Sequence, residues 1–206
     1  MNLHYGSGLD IGEGWFNCDA SPTLRLQRLP VIGLVFQKLL RPRFPDRVHY
    51  GDIVRGVNVA PGSCDAIYCS HILEHLALED MRIALRHTHE CLKSGGIFRV
   101  VVPDFAQQVD AYLSNSQPEA LSNFLGYTFL GRAKRPRGVI GFFREFFGNS
   151  HHLWMWDEKG LALELRNAGL NNIRRCQPGD SINSAFLAVE NPDRFNNWGL
   201  AMECRK

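Results

Sequence analysis

The segment 64–104 constrains the fold of this chain more than any other part of its sequence. Two apolar runs, 66–69 and 97–102, have the length and residue types typical of strands buried on both faces of a sheet. The helical stripe between them, over 78–92, consists of Leu78, Met81, Leu85, Thr88 and Leu92. We expect Gly95 to end this helix. A helix that joins two buried strands is typical of a parallel βαβ unit, so the segment predicts an α/β fold.

The remaining strands and helices are predicted from shorter patterns. Further strands are expected at 3–5, 15–18, 47–50, 172–177 and 199–205. One more helix is expected to start at Asp104, an N-cap residue, and another to cover 157–168 and end at Gly169. The helix after Asp104 is expected to point Phe105, Val109 and Leu113 inward. The segment 185–190 fits either a strand or a helix.

The composition is that of an ordinary globular chain in a reducing compartment. With 45% hydrophobic and 21% charged residues, the fibrous and disordered classes are excluded. No apolar stretch approaches the ~20 residues that cross a bilayer, and no secretion signal is recognisable, so we expect a cytoplasmic location. Six cysteines without a C-x-x-C pair stand at 18, 64, 69, 91, 176 and 204. Their spacing matches no zinc pattern, so we expect free thiols and no metal site.

A glycine turn directly follows the first predicted strand. Gly6, Ser7 and Gly8 stand at the carboxyl end of that strand, where open α/β sheets bind ligands. Residues 9–14 contain two glycines and lead at once into the next strand, so they cannot form the helix whose N-terminus would hold a pyrophosphate. We therefore expect neither NAD nor ATP to bind. A turn that only reverses the chain is the alternative interpretation.

Two aspartates end the next two predicted strands. Asp19 follows the second strand, where a carboxylate can accept two hydrogen bonds from a ribose diol. Asp52 follows the third strand and can accept a hydrogen bond from an exocyclic amine, while the Ile53 backbone N–H donates to the ring. Each aspartate by itself also fits a turn or cap position. Together with the glycine turn, the two predict an adenosine site without a phosphate.

Successive segments resemble the motifs of class I S-adenosylmethionine-dependent methyltransferases. These segments are NLHYGSG at 2–8, GWFNCD at 14–19, GDI at 51–53, CDAIYCSHILEHL at 64–76, LKSGGIFRVVVPD at 92–104 and WMWD at 154–157. The most similar group is small and bacterial, is often found in saccharide-biosynthesis settings, and has a Gly-Trp turn after its first motif. The resemblance implies a Rossmann-like three-layer sandwich whose seven-stranded, mostly parallel sheet has an antiparallel last strand. It also implies one methyltransferase domain, 1–206, with insertions at about 23–46 and 115–150.

The same resemblance implies S-adenosyl-L-methionine as cofactor and S-adenosyl-L-homocysteine (SAH) as its product. The implied cofactor-binding residues are Tyr5, Gly6, Ser7, Gly8, Asp19, Ala20, Asp52, Ile53, Ser70 and His71. Gly6 and Gly8 would approach the methionine portion, and Ser70 with His71 would form the far wall of the pocket. Two residues depart from the family pattern, since His4 and Asp10 stand where an acid and a third glycine are common. A catalytically silent binding protein with this fold is therefore the alternative.

The predicted reaction is methyl transfer to a small-molecule or glycan acceptor, as O-methylation. Displacement at the sulfonium needs mainly alignment of the acceptor with the methyl carbon. A hydroxyl acceptor also profits from a general base, for which the candidates are His71, His75, Asp104 and the His151–His152 pair. His75 equally fits a packed, hydrogen-bonded position, and Asp104 equally fits a helix cap.

Two basic stretches, 25–47 and 132–144, hold eleven of the 23 Lys and Arg, with Asp46 as their only acid. Phenylalanines near the second stretch stand at 124, 129, 142, 143, 146 and 147. The stretches fit a lid over the pocket, a surface lying on an anionic membrane, or the core and charged rim of a cap. We do not expect binding to nucleic acid, because the basic residues do not form a single long stripe.

Overall fold

The computed structural model describes residues 1–134, 137–138, 151–196 and 198–206. The strands among these residues form one seven-stranded sheet. Its strands are β1 (Asn2–Tyr5), β2 (Trp15–Asp19), β3 (Val48–Tyr50), β4 (Cys64–Ser70), β5 (Leu92–Pro103), β6 (Asn171–Arg175) and β7 (Gly199–Arg205). Their order is β3-β2-β1-β4-β5-β7-β6. The first five strands are parallel, while β7 is antiparallel to both of its neighbours. The predicted sheet, with its antiparallel last strand, is confirmed.

Helices pack on both faces of this sheet. They are α1 (Pro22–Gln27), α2 (Gly33–Leu39), α3 (Leu78–Cys91), α4 (Phe105–Leu113), α5 (Ala120–Tyr127), α6 (Glu158–Asn167) and α7 (Pro192–Asn196), with 3₁₀ turns at Leu73–His75 and Ser184–Ala188. Successive residues of β4 enter different core clusters, because side chains alternate across a strand. Ile67 packs with Leu85 of α3, whereas Tyr68 packs with Phe186 on the other face. The result is the expected three-layer sandwich.

The predicted role of Gly95 at the end of α3 is wrong. The helix ends at Cys91, and the chain enters β5 at Leu92, which pairs with Cys64 of β4. Pairing with the neighbouring strand therefore replaces the helix before Gly95 is reached. Gly95 itself has a φ of +75°, and its N–H donates to the Lys206 carbonyl at 2.9 Å. Its left-handed conformation therefore belongs to an irregular part of β5 and does not cap a helix.

The start of α4 is as predicted, but its inward face is different. The Asp104 side chain accepts a hydrogen bond from the Gln107 N–H at 3.3 Å, as an N-cap does. Leu113, which was expected inside, has 73% of its surface exposed, whereas Gln108 is buried. The reason is that α4 packs its aromatic residues against Phe124 of α5, so the buried stripe is rotated away from Leu113.

The remaining expectations have mixed outcomes. Asp157 caps α6 by accepting from the Gly160 N–H at 2.7 Å, and Gly169 with a φ of +90° ends it, as predicted. The ambiguous segment 185–190 is largely a 3₁₀ turn. All six cysteines are buried free thiols, as expected. Among the described helices, none combines the length and apolar character needed to cross a membrane.

The division into a single domain with insertions at about 23–46 and 115–150 stays a prediction. The first of these segments contains α1 and α2, and the second begins with α5. Residues 135–136 and 139–150, which include four of the six phenylalanines and Arg135 and Arg144, lie outside the described residues.

Candidate functional site

A cavity of about 820 Å³ opens where β1 to β4 end; we refer to it as the strand-end cavity. Among its lining residues are Tyr5, Gly6, Asp19, Ala20, Asp52, Ile53, His71 and His75. The carboxyl ends of parallel strands share one edge of the sheet, which brings these residues together. Ser7, Gly8 and Ser70 do not line the cavity, and both serines are only 3% exposed. Most of the predicted adenosine site thus meets in one place.

The glycine turn is shaped by close packing at Gly6. Its φ is +66°, and a Cβ atom placed there would lie 2.2 Å from Cγ1 of Ile72. Both the backbone and the available space therefore require glycine. The Ser7 N–H donates to the Cys18 carbonyl at 3.1 Å, which holds the turn against β2. The described chain has no helix over 6–14, as expected, so the exclusion of NAD and ATP stays a prediction with this geometry behind it.

The carboxylate of Asp19 is fixed by the backbone around it. Its Oδ2 accepts from the Gly8 N–H at 3.0 Å, and its Oδ1 accepts from the Ser21 N–H at 2.7 Å. An ionised carboxylate has about four acceptor positions, so capacity remains for two further donors. Because Asp19 lines the strand-end cavity, that capacity is available to the hydroxyls of a ribose.

The loop after β3 is preorganised in a similar way. Asp52 Oδ1 accepts from the Val54 N–H at 2.9 Å, a local turn that these residues commonly form. The carbonyl of Ile53 lies 2.7 Å from Nδ1 of His87, which fixes the loop to α3. Ile53 is only 5% exposed, so it forms an apolar floor beside the carboxylate of Asp52.

A second cavity of about 580 Å³ lies beside the first, and we refer to it as the helix cavity. Its lining is His71, Pro103, Gln108, Ala111, Tyr112, Asn115, Ala120, Asn123, Phe124, Tyr127, Thr128, Phe129, His152 and Trp198. Most of these residues belong to α4, α5 and the chain just after them. Sequence reasoning singled out Phe124 and Phe129 as aromatic residues but missed the cavity that they help to form.

His71 lines both cavities, directly after β4. Its φ of +54° is rare for a residue with a side chain, and such strain is concentrated at functional sites. Its backbone N–H donates to the Val101 carbonyl at 2.8 Å, which holds the strained residue in place. Its Nδ1 lies 3.2 Å from Oε1 of the buried Glu74. A carboxylate at this position favours the tautomer with the proton on Nδ1, which leaves Nε2 of the neutral ring as the proton acceptor.

The predicted bases His75 and His151 have different positions. His75 lines the strand-end cavity, and its Nδ1 donates to the His151 carbonyl at 3.1 Å. His151 thus contributes its backbone, whereas the neighbouring His152 lines the helix cavity. Burial lowers the pKa of His152, although the nearby Glu74 raises it in part. The two histidines are adjacent in sequence, and only the packing distinguishes them.

Asp104 lies outside both cavities. Besides capping α4, its Oδ2 accepts from Arg175 Nη2 at 2.7 Å, and only 4% of the residue is exposed. Both oxygens of this carboxylate are thus engaged, one by the Gln107 N–H and the other by the guanidinium of Arg175. The structure therefore supports the helix-cap interpretation of Asp104.

The two departures from the family pattern are also accounted for. His4 is buried with its Nδ1 3.3 Å from Oδ1 of Asn17, and burial lowers its pKa to about 4. Asp10 forms an ion pair with Arg194 at 2.8 Å. Neither residue lines the strand-end cavity, so both act on the structure around it.

Comparisons with known proteins agree with this architecture. The profile of a family described as a methyltransferase domain matches residues 35–175. No curated protein sequence matches the chain.

Solved structures with this fold include three that superimpose at a TM-score of 0.50 or more. "PigF with SAH" is 18% identical, with a TM-score of 0.52 over 100% of this chain and 50% of that one. YcgJ from Bacillus subtilis is 13% identical, with a TM-score of 0.52 over 100% and 91% of the two chains. The putative methyltransferase in a complex with the Trm112 activator of Haloferax volcanii is 16% identical, with a TM-score of 0.50 over 99% and 81%. This chain spans about half the length of the PigF chain.

The strand-end cavity fits the cofactor of this family. Gly6 lines the cavity without a side chain, and Asp19, which also lines it, has unused acceptor capacity. The Asp52 loop offers a carboxylate and an apolar floor for a purine. With the sheet order, the cavity and the matched profile in agreement, the chain belongs to the methyltransferase-domain family, as a class I S-adenosylmethionine-dependent methyltransferase.

Proposed function

We propose that this protein methylates a hydroxyl group of a small-molecule or glycan acceptor bound in the helix cavity. The observation that carries the proposal is that the two cavities meet at His71. A cofactor in the strand-end cavity supplies an electrophilic methyl group, and an acceptor in the helix cavity would face it across this residue. In-line transfer requires such an alignment above all.

His71 is also suited to act as the general base. With Nδ1 facing the Glu74 carboxylate at 3.2 Å, its Nε2 is the ring nitrogen that can accept the hydroxyl proton. A carboxylate behind an imidazole orients the ring and stabilises its protonated form. Asp19 and the Asp52 loop would hold the adenosine, so their role is binding and positioning.

Gln108 supports a hydroxyl-bearing acceptor. Its side chain is 92% buried in the wall of the helix cavity, and its Oε1 has no hydrogen-bond partner among the described residues. Leaving a buried oxygen without a hydrogen bond costs free energy. A hydroxyl group of the methyl-accepting substrate could donate the missing hydrogen bond. Asn115 and Asn123 add further amide groups to the same wall. The volume of about 580 Å³ lies in the range of small-molecule sites.

Methyl transfer from labelled S-adenosylmethionine to a panel of saccharides and small alcohols tests the proposal. We expect turnover with at least one hydroxyl compound, and a loss of kcat of about 100-fold or more in His71→Ala, as for removal of a general base. His49→Ala is the control, because His49 is exposed and stacks on Phe16 away from both cavities. Binding of SAH without turnover on any acceptor would favour the catalytically silent alternative.

We also propose that the surface of α1 and α2 contacts anionic membranes, which suits a lipid-linked glycan acceptor. Val31, Leu34 and Leu39 are 91%, 69% and 71% exposed, an unusual degree for adjacent apolar side chains. Basic residues flank them in the sequence at 25, 28, 38, 41, 43 and 47. Apolar side chains beside basic ones are typical of surfaces that lie on anionic lipid.

Sedimentation with vesicles checks this contact. We expect binding to vesicles with 30% phosphatidylserine, at about 1 kcal/mol per basic residue near the surface, and none to neutral vesicles. The double variant Leu34→Ser/Leu39→Ser should lose binding, whereas Leu163→Ser, which changes a leucine of α6 that is 52% exposed, should keep it. Equal vesicle binding by the natural protein and both variants would contradict a membrane contact through α1 and α2, and this segment would then be a lid or a cap.

A further inference from the structure

Glu74 is a buried carboxylate whose oxygens lack hydrogen bonds. It lies in the 3₁₀ turn Leu73–His75, none of its surface is exposed, and neither carboxylate oxygen has a hydrogen-bond partner in the described part of the chain. The ring of His71 faces this carboxylate, with Nδ1 at 3.2 Å from Oε1. Carboxylates are buried at a high cost unless they are paired or bind a metal ion, so Glu74 needs a partner for Oε2.

Two histidines face the same carboxylate. One ligand atom from each of Glu74, His75 and His152 lies within 4.8 Å of the other two. The rings of His75 and His152 are 4.9 Å apart, at an angle of 72°. The cluster therefore offers one oxygen and two nitrogens that a small shift of the side chains would bring together around one ion, since ligands about 2.1 Å from a tetrahedral ion are about 3.4 Å apart.

The protonation pattern leaves these nitrogens available. His75 Nδ1 donates to the His151 carbonyl at 3.1 Å, so its Nε2 has a free lone pair when the ring is neutral. A histidine that ligates a metal commonly donates its other N–H to a backbone carbonyl in this way. His152 Nδ1 is buried and has no hydrogen-bond partner among the described residues.

We propose that Glu74, His75 and His152 form a binding site for one divalent transition-metal ion, with Zn²⁺ as the best match. Two imidazoles and one carboxylate are a zinc donor set that leaves a fourth position open. The site is also tied together by the backbone, because the Glu74 carbonyl accepts from the N–H groups of Leu153 at 2.7 Å and Trp154 at 3.2 Å. Sequence reasoning considered zinc ligands only around cysteines and so did not find it.

The ion would lie between the two cavities. His75 lines the strand-end cavity and His152 lines the helix cavity, so the open position is accessible to an oxygen of the acceptor. A metal ion lowers the pKa of an oxygen ligand, which would assist methylation of a hydroxyl. This use of the ion rests on the proposed function, whereas the binding of the ion itself does not.

Titration of tag-free, chelator-treated protein with Co²⁺ tests the site. We expect one Co²⁺ per chain, with the visible absorption of a four-coordinate ion, and displacement by Zn²⁺. Glu74→Gln and His152→Ala should each weaken binding by more than about 100-fold, the upper end of the losses seen when only outer partners are removed. His49→Ala is the matched control, because this histidine is exposed and outside the cluster.

Circular dichroism and SAH binding show whether each variant is folded. If Glu74→Gln does not fold, His152→Ala alone provides the test. The absence of saturable Co²⁺ binding to the natural protein would overturn the proposal, with Glu74 then neutralised by a protonated His71. Unchanged binding in His152→Ala would overturn it as well. Stoichiometric Co²⁺ binding without methyl transfer would confirm the site and count only against the proposed function.

Discussion

The strand-end cavity and the helix cavity are built by different means. The ends of four strands and the segments that follow them form most of the first, and backbone hydrogen bonds to Asp19 and Asp52 hold its carboxylates in place. Residues of α4 and α5, which pack on each other beyond the sheet, form half of the lining of the second. Sheet geometry therefore determines the strand-end cavity, whereas the packing of two helices determines the helix cavity, in which we propose that the acceptor binds.

The two cavities also differ in charge. The strand-end cavity is lined by Asp19, Asp52, Asp80 and Arg55, in addition to its histidines. Among the described residues that line the helix cavity there is no aspartate, glutamate, lysine or arginine. Ionic groups are thus concentrated where the adenosine is expected, and a neutral acceptor with hydroxyl groups is the better match for the other side.

The largest effect that separates the two cavities is expected from Asp19→Ala. The change removes two charge-assisted hydrogen bonds to the ribose, each worth ~1.5–3 kcal/mol, so SAH should bind at least about tenfold more weakly. Calorimetry measures this, with Asp110→Ala as control, since Asp110 lies on α4 outside both cavities. Unchanged SAH affinity in Asp19→Ala would contradict the assignment of the ribose to this carboxylate.

A smaller effect distinguishes two glycines of the same turn. Gly6 and Gly8 have φ values of +66° and +56°, but only Gly6 has an atom within 4 Å of an added Cβ. Gly8→Ala should cost ~1–2 kcal/mol in the free energy of unfolding, for the left-handed backbone alone. Gly6→Ala should cost ~1–3 kcal/mol more, from the contact with Ile72.

Urea unfolding measures both glycine variants. Ile72→Ala combined with Gly6→Ala should recover part of the extra loss, because it removes the side chain that the new methyl group meets. Equal losses in the two single variants would show that the turn is not crowded at Gly6.

The smallest effect is expected in the wall of the helix cavity. Phe124→Ala removes a ring that is 5.2 Å from the ring of Tyr112, and the acceptor KM should rise by about tenfold, or ~1.4 kcal/mol. Leu121→Ala, at a position of α5 that is 54% exposed and outside the cavity, should leave KM unchanged. SAH affinity should be the same in both variants. A parallel loss of SAH affinity in Phe124→Ala would mean that the two cavities are not separate sites.

The contrast between the cavities also explains what sequence reasoning could predict. Asp19 and Asp52 were found because a residue that directly follows a buried strand must lie at the sheet edge. Gln108 and Tyr112 were missed because the rotation of α4 is decided by its contact with α5, and no local pattern encodes that contact. Leu113 was expected inside for the same reason.

Single-residue distinctions were equally beyond the sequence. His151 and His152 are neighbours in the same short segment, and the hydrogen bonds from this segment to the Glu74 carbonyl decide which ring faces a cavity. Ser7 and Ser70 lie on the predicted strand ends, but their side chains point into the protein. A charged residue inside an apolar turn, as Glu74 is between Leu73 and His75, was the one available signal for the cluster around it.

The shared position of His71 has a consequence for inhibition. Because one side chain is the wall of both cavities, a single molecule that joins an adenosine to a hydroxylated ring needs only a short linker to occupy the two. Once one half of such a bisubstrate compound is bound, the other is held at a high effective concentration beside its own site. Its affinity would exceed that of either half, and the linker length that gives the tightest binding would measure the path of the methyl group.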